Sequence, residues 1–222
     1  MHEGLIVATK AKQQAIQVSP EERRLLDLAR ILVVDLELTC GPGVNVDSQE
    51  IIEIGTCGLV LGKLVSESDS ASIHVKPERS VINSFCTALT GVTRDLAANE
   101  PGFARRAPRI RDLLVTFGAD AWCSWGPDHT LLHRQCVASG VENPLASVPH
   151  IDVRSMLTSL VYKLTGNKKP LGANSGVGLA TALEELEIDF EGRQHCGRAD
   201  AYNTARLLQQ VRLQMTSRFA KS

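Results

Sequence analysis

At 222 residues, 43% of them hydrophobic, and with no low-complexity tract, the chain has the size of one ordinary domain with a core of its own. A formal charge of −1, from 24 basic and 25 acidic side chains, excludes a uniformly basic nucleic-acid binder while leaving room for a basic patch beside an acidic site. No apolar run approaches a membrane span, Met1 to Gln17 lack the parts of a signal peptide, and the six cysteines form no C-x-x-C pair. A cytoplasmic protein with free, buried thiols and no zinc ribbon is therefore expected.

Residues 1–18 carry little pattern and read as an N-terminal extension to a single domain over residues 19–222. Ser19-Pro20-Glu21-Glu22 has the form of an N-cap, a proline in the first turn and acids beside the positive helix end, opening a short helix to about Arg30. Ile31 to Cys40 follows as an apolar strand interrupted by Asp35 and Glu37. Side chains at i and i+2 of a strand share a face, so the two carboxylates form an acidic fork at its C-terminal end. Leu36 and Leu38 on the opposite face fit a central strand covered on both sides. Two carboxylates in such a strand repel and lose hydration unless a proton or a cation shares them. Hard divalent ions prefer carboxylate oxygen, whereas zinc recruits His or Cys, so Mg²⁺ or Mn²⁺ is expected.

Beyond the loop Gly41 to Asp47, Glu50–Leu61 and Leu64–Val75 read as two further strands, an antiparallel hairpin beside the first. Ile82, Phe85, Leu89 and Val92 recur at three- and four-residue spacing in a short helix ending at Gly91, and Thr93 can cap another turn. Phe103 to Phe117 contains a helix whose early part gathers Arg105, Arg106, Arg109 and Arg111; a solvated face is the default for such a run and a phosphate-contacting surface the minority reading. Then come a strand over Ala119–Trp125, a helix from Asp128 to Gly140, a strand over Val148–Val153 and a helix to about Leu164. A loop over 166–176 leads to a periodic helix through Leu179, Leu183 and Leu186, and a last helix starts near Asp200. Three strands followed by alternating strands and helices predict an α/β fold with a mixed five-stranded sheet and helices on both faces.

Asp128 and Asp200 each open a helix, where a carboxylate ordinarily caps the positive end. Taken in order with the fork, however, Asp35-Leu36-Glu37-Leu38-Thr39, then Asp128, then His195 five residues before Asp200, the pattern resembles the DEDD exonucleases in their histidine-bearing DEDDh branch, which has an RNase H-like fold. Within that branch it is most similar to exoribonucleases of the histone-mRNA and RNA-interference-regulating type and their bacterial relatives. Gln49 to Gly55, Phe85 to Thr93, Ser124-Trp125-Gly126 and Arg134-Gln135-Cys136 resemble accessory signatures, and the likeness spans residues 31–208. Leu38 stands where alanine is common, Ala199 where a further aspartate is frequent, and Trp125 and Asp128 are one residue closer together than in many bacterial relatives.

The resemblance implies a 3′-to-5′ exonuclease that uses two divalent cations, Mg²⁺ or Mn²⁺, and releases nucleoside 5′-monophosphates from single-stranded RNA or short 3′ overhangs. It implies that Asp35 bridges both ions, that Glu37 and Asp200 hold the ion nearer the attacking water, that Asp128 supports the other, and that His195 is the general base. Phe85 and Trp125 would hold the terminal base, with Leu38 and Thr39 near its sugar. The partner would be single-stranded nucleic acid, RNA favoured over DNA. The alternatives are a DNA-trimming or proofreading enzyme and a nucleic-acid-binding regulator that keeps the fold without turnover. His74, His129, His133 and His150 are expected to be surface or structural residues, and Asn203 and Asp152 supporting polar groups.

Overall fold

The computed structural model describes residues 16–167 and 176–219. β1 (Arg30–Leu38), β2 (Ile51–Val60) and β3 (Ser70–His74) form an antiparallel meander, and β4 (Ala121–Ser124) and β5 (His150–Asp152) add in parallel on the other side of β1, giving the order β3-β2-β1-β4-β5. The fork strand is thus the central one. Ile31 and Val33 enter a core layer with α1 (Pro20–Asp27), α6 (Arg154–Thr165), α7 (Leu179–Glu184) and α8 (Gly197–Phe219). Leu32, Val34 and Leu36 enter the opposite layer with α4 (Phe103–Phe117) and α5 (Asp128–Ser139). By the two-residue period, Asp35 and Glu37 continue the face of Ile31 and Val33, the one that α8 covers.

The strands are buried from both sides because helices lie on both faces, which is why residues 31–34 read as an unbroken apolar run. α2 (Ser84–Thr90) and α3 (Arg94–Ala98) close a third, smaller cluster of Ile52, Ile82, Cys86, Val92 and Ala97. Ile52 reaches it from a bulge: Glu37 pairs with Glu53 but Leu38 with Ile51, so one extra residue of β2 is turned out and the end of β1 is twisted. Among the described residues no helix is long and apolar enough to cross a membrane.

Several boundaries differ from expectation. α1 has the expected capping box, in which the Glu22 N–H donates to Ser19 Oγ at 3.1 Å and the Ser19 N–H donates to Glu22 Oε2 at 2.7 Å. It stops at Asp27 rather than near Arg30 because Arg30 already pairs with Val60 in β1. β3 starts at Ser70 rather than Leu64, since Ser66 to Asp69 fold into a turn held by the Ser66 N–H on Asp69 Oδ2 at 2.8 Å. α7 ends at Glu184, leaving Leu186 in the following turn, and residues 168–175 of the expected loop lie outside the described residues. Ile16 and Val18, within the stretch read as an extension, pack on the α8-side core, while residues 1–15 lie outside the described residues.

The cysteines are free, and burial pushes the Cys57 and Cys123 thiols up to about 12, where they are inert. Of the α4 arginines, Arg106 pairs with Glu100 and Arg111 lies 3.7 Å from Glu142, whereas Arg105 and Arg109 face solvent.

Candidate active site

The fork lies where the sheet opens. β1 pairs with β4 only from Ile31 to Val33; beyond that the two parallel strands part, and the Leu36 N–H donates to Asp128 Oδ1 at 3.1 Å. Asp128, 6% exposed, is the first residue of α5, placed there by the turn Ser124-Trp125-Gly126-Pro127. That turn needs glycine, because Gly126 has φ +132°, and Ser124 Oγ ties it by donating to the Gly126 carbonyl at 3.0 Å. The Asp128 carboxyl is thereby held by the backbone segment that separates Asp35 from Glu37.

α8 brings the remaining groups across the other side of the strand. Its start is captured by a residue whose role the sequence left unassigned, Glu53, which sits opposite Glu37 in the β1–β2 ladder and is 2% exposed. The N–H groups of Gly197 and Arg198 donate to the Glu53 carboxylate at 3.1 and 3.3 Å, and Ser72 Oγ donates to it at 2.8 Å. A buried carboxylate at the positive end of a helix satisfies both partners. This capture starts α8 at Gly197, three residues before Asp200, where the sequence pattern placed it. The helix can come so near only because two glycines meet: a Cβ on Gly55 would lie 1.8 Å from the Gly197 carbonyl carbon.

His195 precedes α8 in the left-handed region, with φ +61°, and its N–H donates to Asp200 Oδ2 at 2.8 Å. The residues from Glu191 to His195 are held from both ends. Asn203, fully buried, accepts from the Glu191 N–H at 3.0 Å and donates to the Glu191 and Ala199 carbonyls, each at 2.8 Å. Arg193 donates to the Ala88 and Leu89 carbonyls of α2. Asn203 is thus the supporting group its position promised, and Asp152 does a smaller job, accepting the Arg154 N–H at 3.0 Å at the start of α6. The ligand atoms of Glu37, His195 and Asp200 all lie within 4.8 Å of one another.

Crowding shows in the acidities. Burial, then the charges of Asp128, Asp200, Glu37 and Glu53, hold the Asp35 carboxyl well above the usual carboxylate range. Burial with Asp200 and Glu53 pushes Glu37 up to about 8, opposed by Arg193. Burial raises Asp200 to about 7 against the His195 N–H bond, and Asp128 to about 6 against the Leu36 N–H bond. Four carboxylates that cannot all ionise together are a donor set suited to hard divalent cations, which supply the missing positive charge through oxygen ligands.

Groups raised above their unfolded values stabilise the fold fully below pH ~4, and this contribution is lost as pH rises through 6 to 8. In EDTA the melting temperature should therefore fall between about pH 5 and 8. A divalent cation that takes the ionised carboxylates as ligands should restore it increasingly as pH rises. A hundredfold excess over Kd contributes about 2.7 kcal/mol, or roughly 5–11 °C at this chain length. Differential scanning fluorimetry checks this; a flat profile in EDTA together with no shift on adding ions would contradict it.

The residues expected to meet the substrate are placed less uniformly. Phe85, on α2, is 48% exposed, so it is a free face rather than a core residue. Trp125 is more enclosed than its glycine and proline neighbours imply: half-buried against the α8-side core, it donates its indole N–H to the Val177 carbonyl at 3.3 Å. Leu38 is half-buried at the strand end. Thr39 is 1% exposed and its hydroxyl is engaged, accepting the Glu50 N–H at 3.0 Å and bonding Ser80 Oγ at 2.9 Å. Its hydroxyl therefore braces the pocket from behind. Glu50 completes that brace: against the effect of burial, the Ser80 hydroxyl, which donates to it at 2.7 Å, and the N–H groups of Glu78, Arg79 and Ser80 hold its carboxyl below the usual range. His150 is structural: stacked on His129 at 5.0 Å and near Trp122, it is pushed down to about 4 by burial and by His129.

This sheet order, with acids at the C-terminal end of its central strand, defines an RNase H-like exonuclease fold, and the chain belongs to the exonuclease family, whose model, Exonuclease (RNase_T), matches residues 32–208. Among its relatives, the Danio rerio protein named ERI1 exoribonuclease 2 is 32% identical over 230 residues, covering 94% of this chain and 39% of the relative. The Homo sapiens 3'-5' exoribonuclease 1 is 29% identical over 192 residues, covering 80% of this chain and 50% of the relative. The chain thus spans half or less of the length of these relatives. A solved structure described as the nuclease domain of 3'hExo, a DEDDh family member bound to rAMP, superposes with a TM-score of 0.69 at 25% identity, covering 84% of this chain and 92% of that one.

Proposed function

We propose that this chain is a metal-dependent 3′-to-5′ exonuclease that removes nucleoside 5′-monophosphates from single-stranded nucleic acid, RNA in preference to DNA. The observation that carries the reading is the meeting of Glu37, Asp200 and His195, with ligand atoms within 4.8 Å, beside Asp35 and Asp128 at the end of the central strand. Asp35, Glu37, Asp128 and Asp200 would hold two Mg²⁺ or Mn²⁺ ions. Bound there, the ions supply positive charge for the scissile phosphate and the leaving 3′-oxygen and promote ionisation of the attacking water.

The protein's own groups do the rest. His195, exposed and fixed at its backbone by Asp200, accepts the proton of the water that attacks phosphorus. The bond from phosphorus to the 3′-oxygen breaks, so the phosphate leaves with the terminal nucleotide. The exposed face of Phe85 stacks on the terminal base, with Trp125 and Leu38 as further walls; stacking tolerates any base, at about 1–3 kcal/mol each. Thr39 acts through Ser80 and Glu50, keeping the segment ahead of α2 in place. The preference for RNA is supported by the relatives named as exoribonucleases.

Matched RNA and DNA single strands, labelled at either end and incubated with Mg²⁺, Mn²⁺ or EDTA, test the proposal. Mononucleotide release should begin with the 3′ label, stop in EDTA and run faster on RNA. Faster digestion of DNA would point to a DNA-trimming enzyme. Binding without shortening under any divalent ion would replace the enzyme by a regulator.

A further inference from the structure

Next to the brace behind Thr39 lies a groove of about 350 Å³, lined by Lys76, Pro77, Ser80, Val81, Arg94 and Ala98 among others, with no carboxylate in its lining. Lys76 and Arg94 are both exposed, and among the described residues neither side chain makes an ion pair or a hydrogen bond. Of the acids near them in sequence, Asp95 follows Arg94 and Glu78 lies against Gly102, the residue that Lys76 bridges to, but neither lines the groove. The groove wall is anchored rather than loose: the Lys76 N–H donates to the Pro101 carbonyl at 3.1 Å, and the Ser80 N–H donates to Glu50 Oε2 at 2.6 Å.

We propose that this groove binds backbone phosphates of the nucleic-acid strand upstream of its 3′ end. The proposal rests on the exonuclease reading and extends it from the terminal nucleotide to the strand behind it. Continuity with the site supports it, because Ser80 lines the groove and its Oγ is 2.9 Å from Thr39 Oγ1, directly after the fork strand. The chemistry supports it as well. Two cations in a groove with Val81, 61% exposed, a short way along the chain from Phe85, 48% exposed, suit a polymer that has an anionic spine and apolar rings. The four residues from Val81 to Phe85 span at most about 14 Å, and phosphates of a stacked strand follow at about 3.4 Å, so the groove meets the strand within about four nucleotides of its end. The neighbouring cavity at Arg79 and Arg134 lacks this charge imbalance: Arg79 Nε lies 3.4 Å from Glu50, and Arg134 Nη1 lies 3.8 Å from Asp47.

The test is the double variant Lys76→Gln with Arg94→Gln, two exposed positions outside the catalytic cluster. Its affinity for a fluorescein-labelled single-stranded RNA dodecamer and for a trinucleotide is measured by anisotropy in EDTA, across about 50 to 200 mM salt. The wild-type protein should bind the dodecamer more tightly, and the variant should lose about tenfold on the dodecamer and almost nothing on the trinucleotide. The slope of log affinity against log salt should shrink by about 1.4, or 0.7 for each lost phosphate contact. Unchanged dodecamer affinity and slope, an equal loss at both lengths, or a wild-type protein that does not bind the dodecamer would each overturn the groove. A length-dependent loss in a protein that releases no mononucleotide would uphold the groove and sink the hydrolytic reading alone.

Discussion

If His195 is the base of the proposed reaction, His195→Asn should lower kcat by about 10²- to 10⁴-fold and leave KM nearly unchanged, the loss expected when a positioned base is removed from a site that still binds its substrate. Asparagine is the informative replacement because residue 195 stands at φ +61°, a region that asparagine tolerates and alanine enters at a cost of about 1–2 kcal/mol. The backbone N–H on Asp200 survives in this variant, so the start of α8 stays where it is. The comparison is made on the labelled RNA strand at saturating Mg²⁺. A variant that retains more than about a tenth of the wild-type kcat would remove His195 from the chemistry.

The second large effect comes from a residue with no side chain. Gly55→Ala would set a methyl group 1.8 Å from the Gly197 carbonyl carbon and 2.3 Å from the Arg198 nitrogen. Both are backbone atoms at the start of α8, so no side-chain rotation relieves the clash and the helix must move. Overpacking of this kind costs about 3 kcal/mol, or roughly 6–12 °C at this size. Because Asp200 and His195 ride on the displaced segment, and a misplacement of about 1 Å can cost 10²-fold, activity should fall at temperatures where the variant is still folded. Gly43→Ala is the control: φ is +75° there but nothing lies within 4 Å, so only the backbone penalty of about 1–2 kcal/mol applies. Equal melting temperatures and rates for the two variants would refute the proposed contact.

What was legible in the chain is what local chemistry dictates. The helix expected within residues 103–117 is α4, and Gly140 marked where α5 stops because glycine favours the left-handed backbone of a helix end. The fork was legible because strand alternation alone puts Asp35 and Glu37 on one face. Asp128, His195 and Asp200 were legible only as an ordered pattern, since each taken alone is an ordinary residue at a helix start. Boundaries failed where a tertiary partner overrode local preference, as when Arg30 was drawn into β1 by Val60 and α8 was started early by Glu53.

By itself, then, the sequence determined the alternation that makes the fork, the apolar run that makes β1 central, and the helix caps, all of which are settled within a few residues. Only the tertiary structure decided what surrounds the fork. The capture of α8 by Glu53, the close approach at Gly55, the diversion of Thr39's hydroxyl to Ser80 and the placing of Lys76 and Arg94 along one groove all bring distant segments together. A hydrogen bond or a steric contact of that kind depends on where the folded backbone passes, and no spacing along the chain encodes that position.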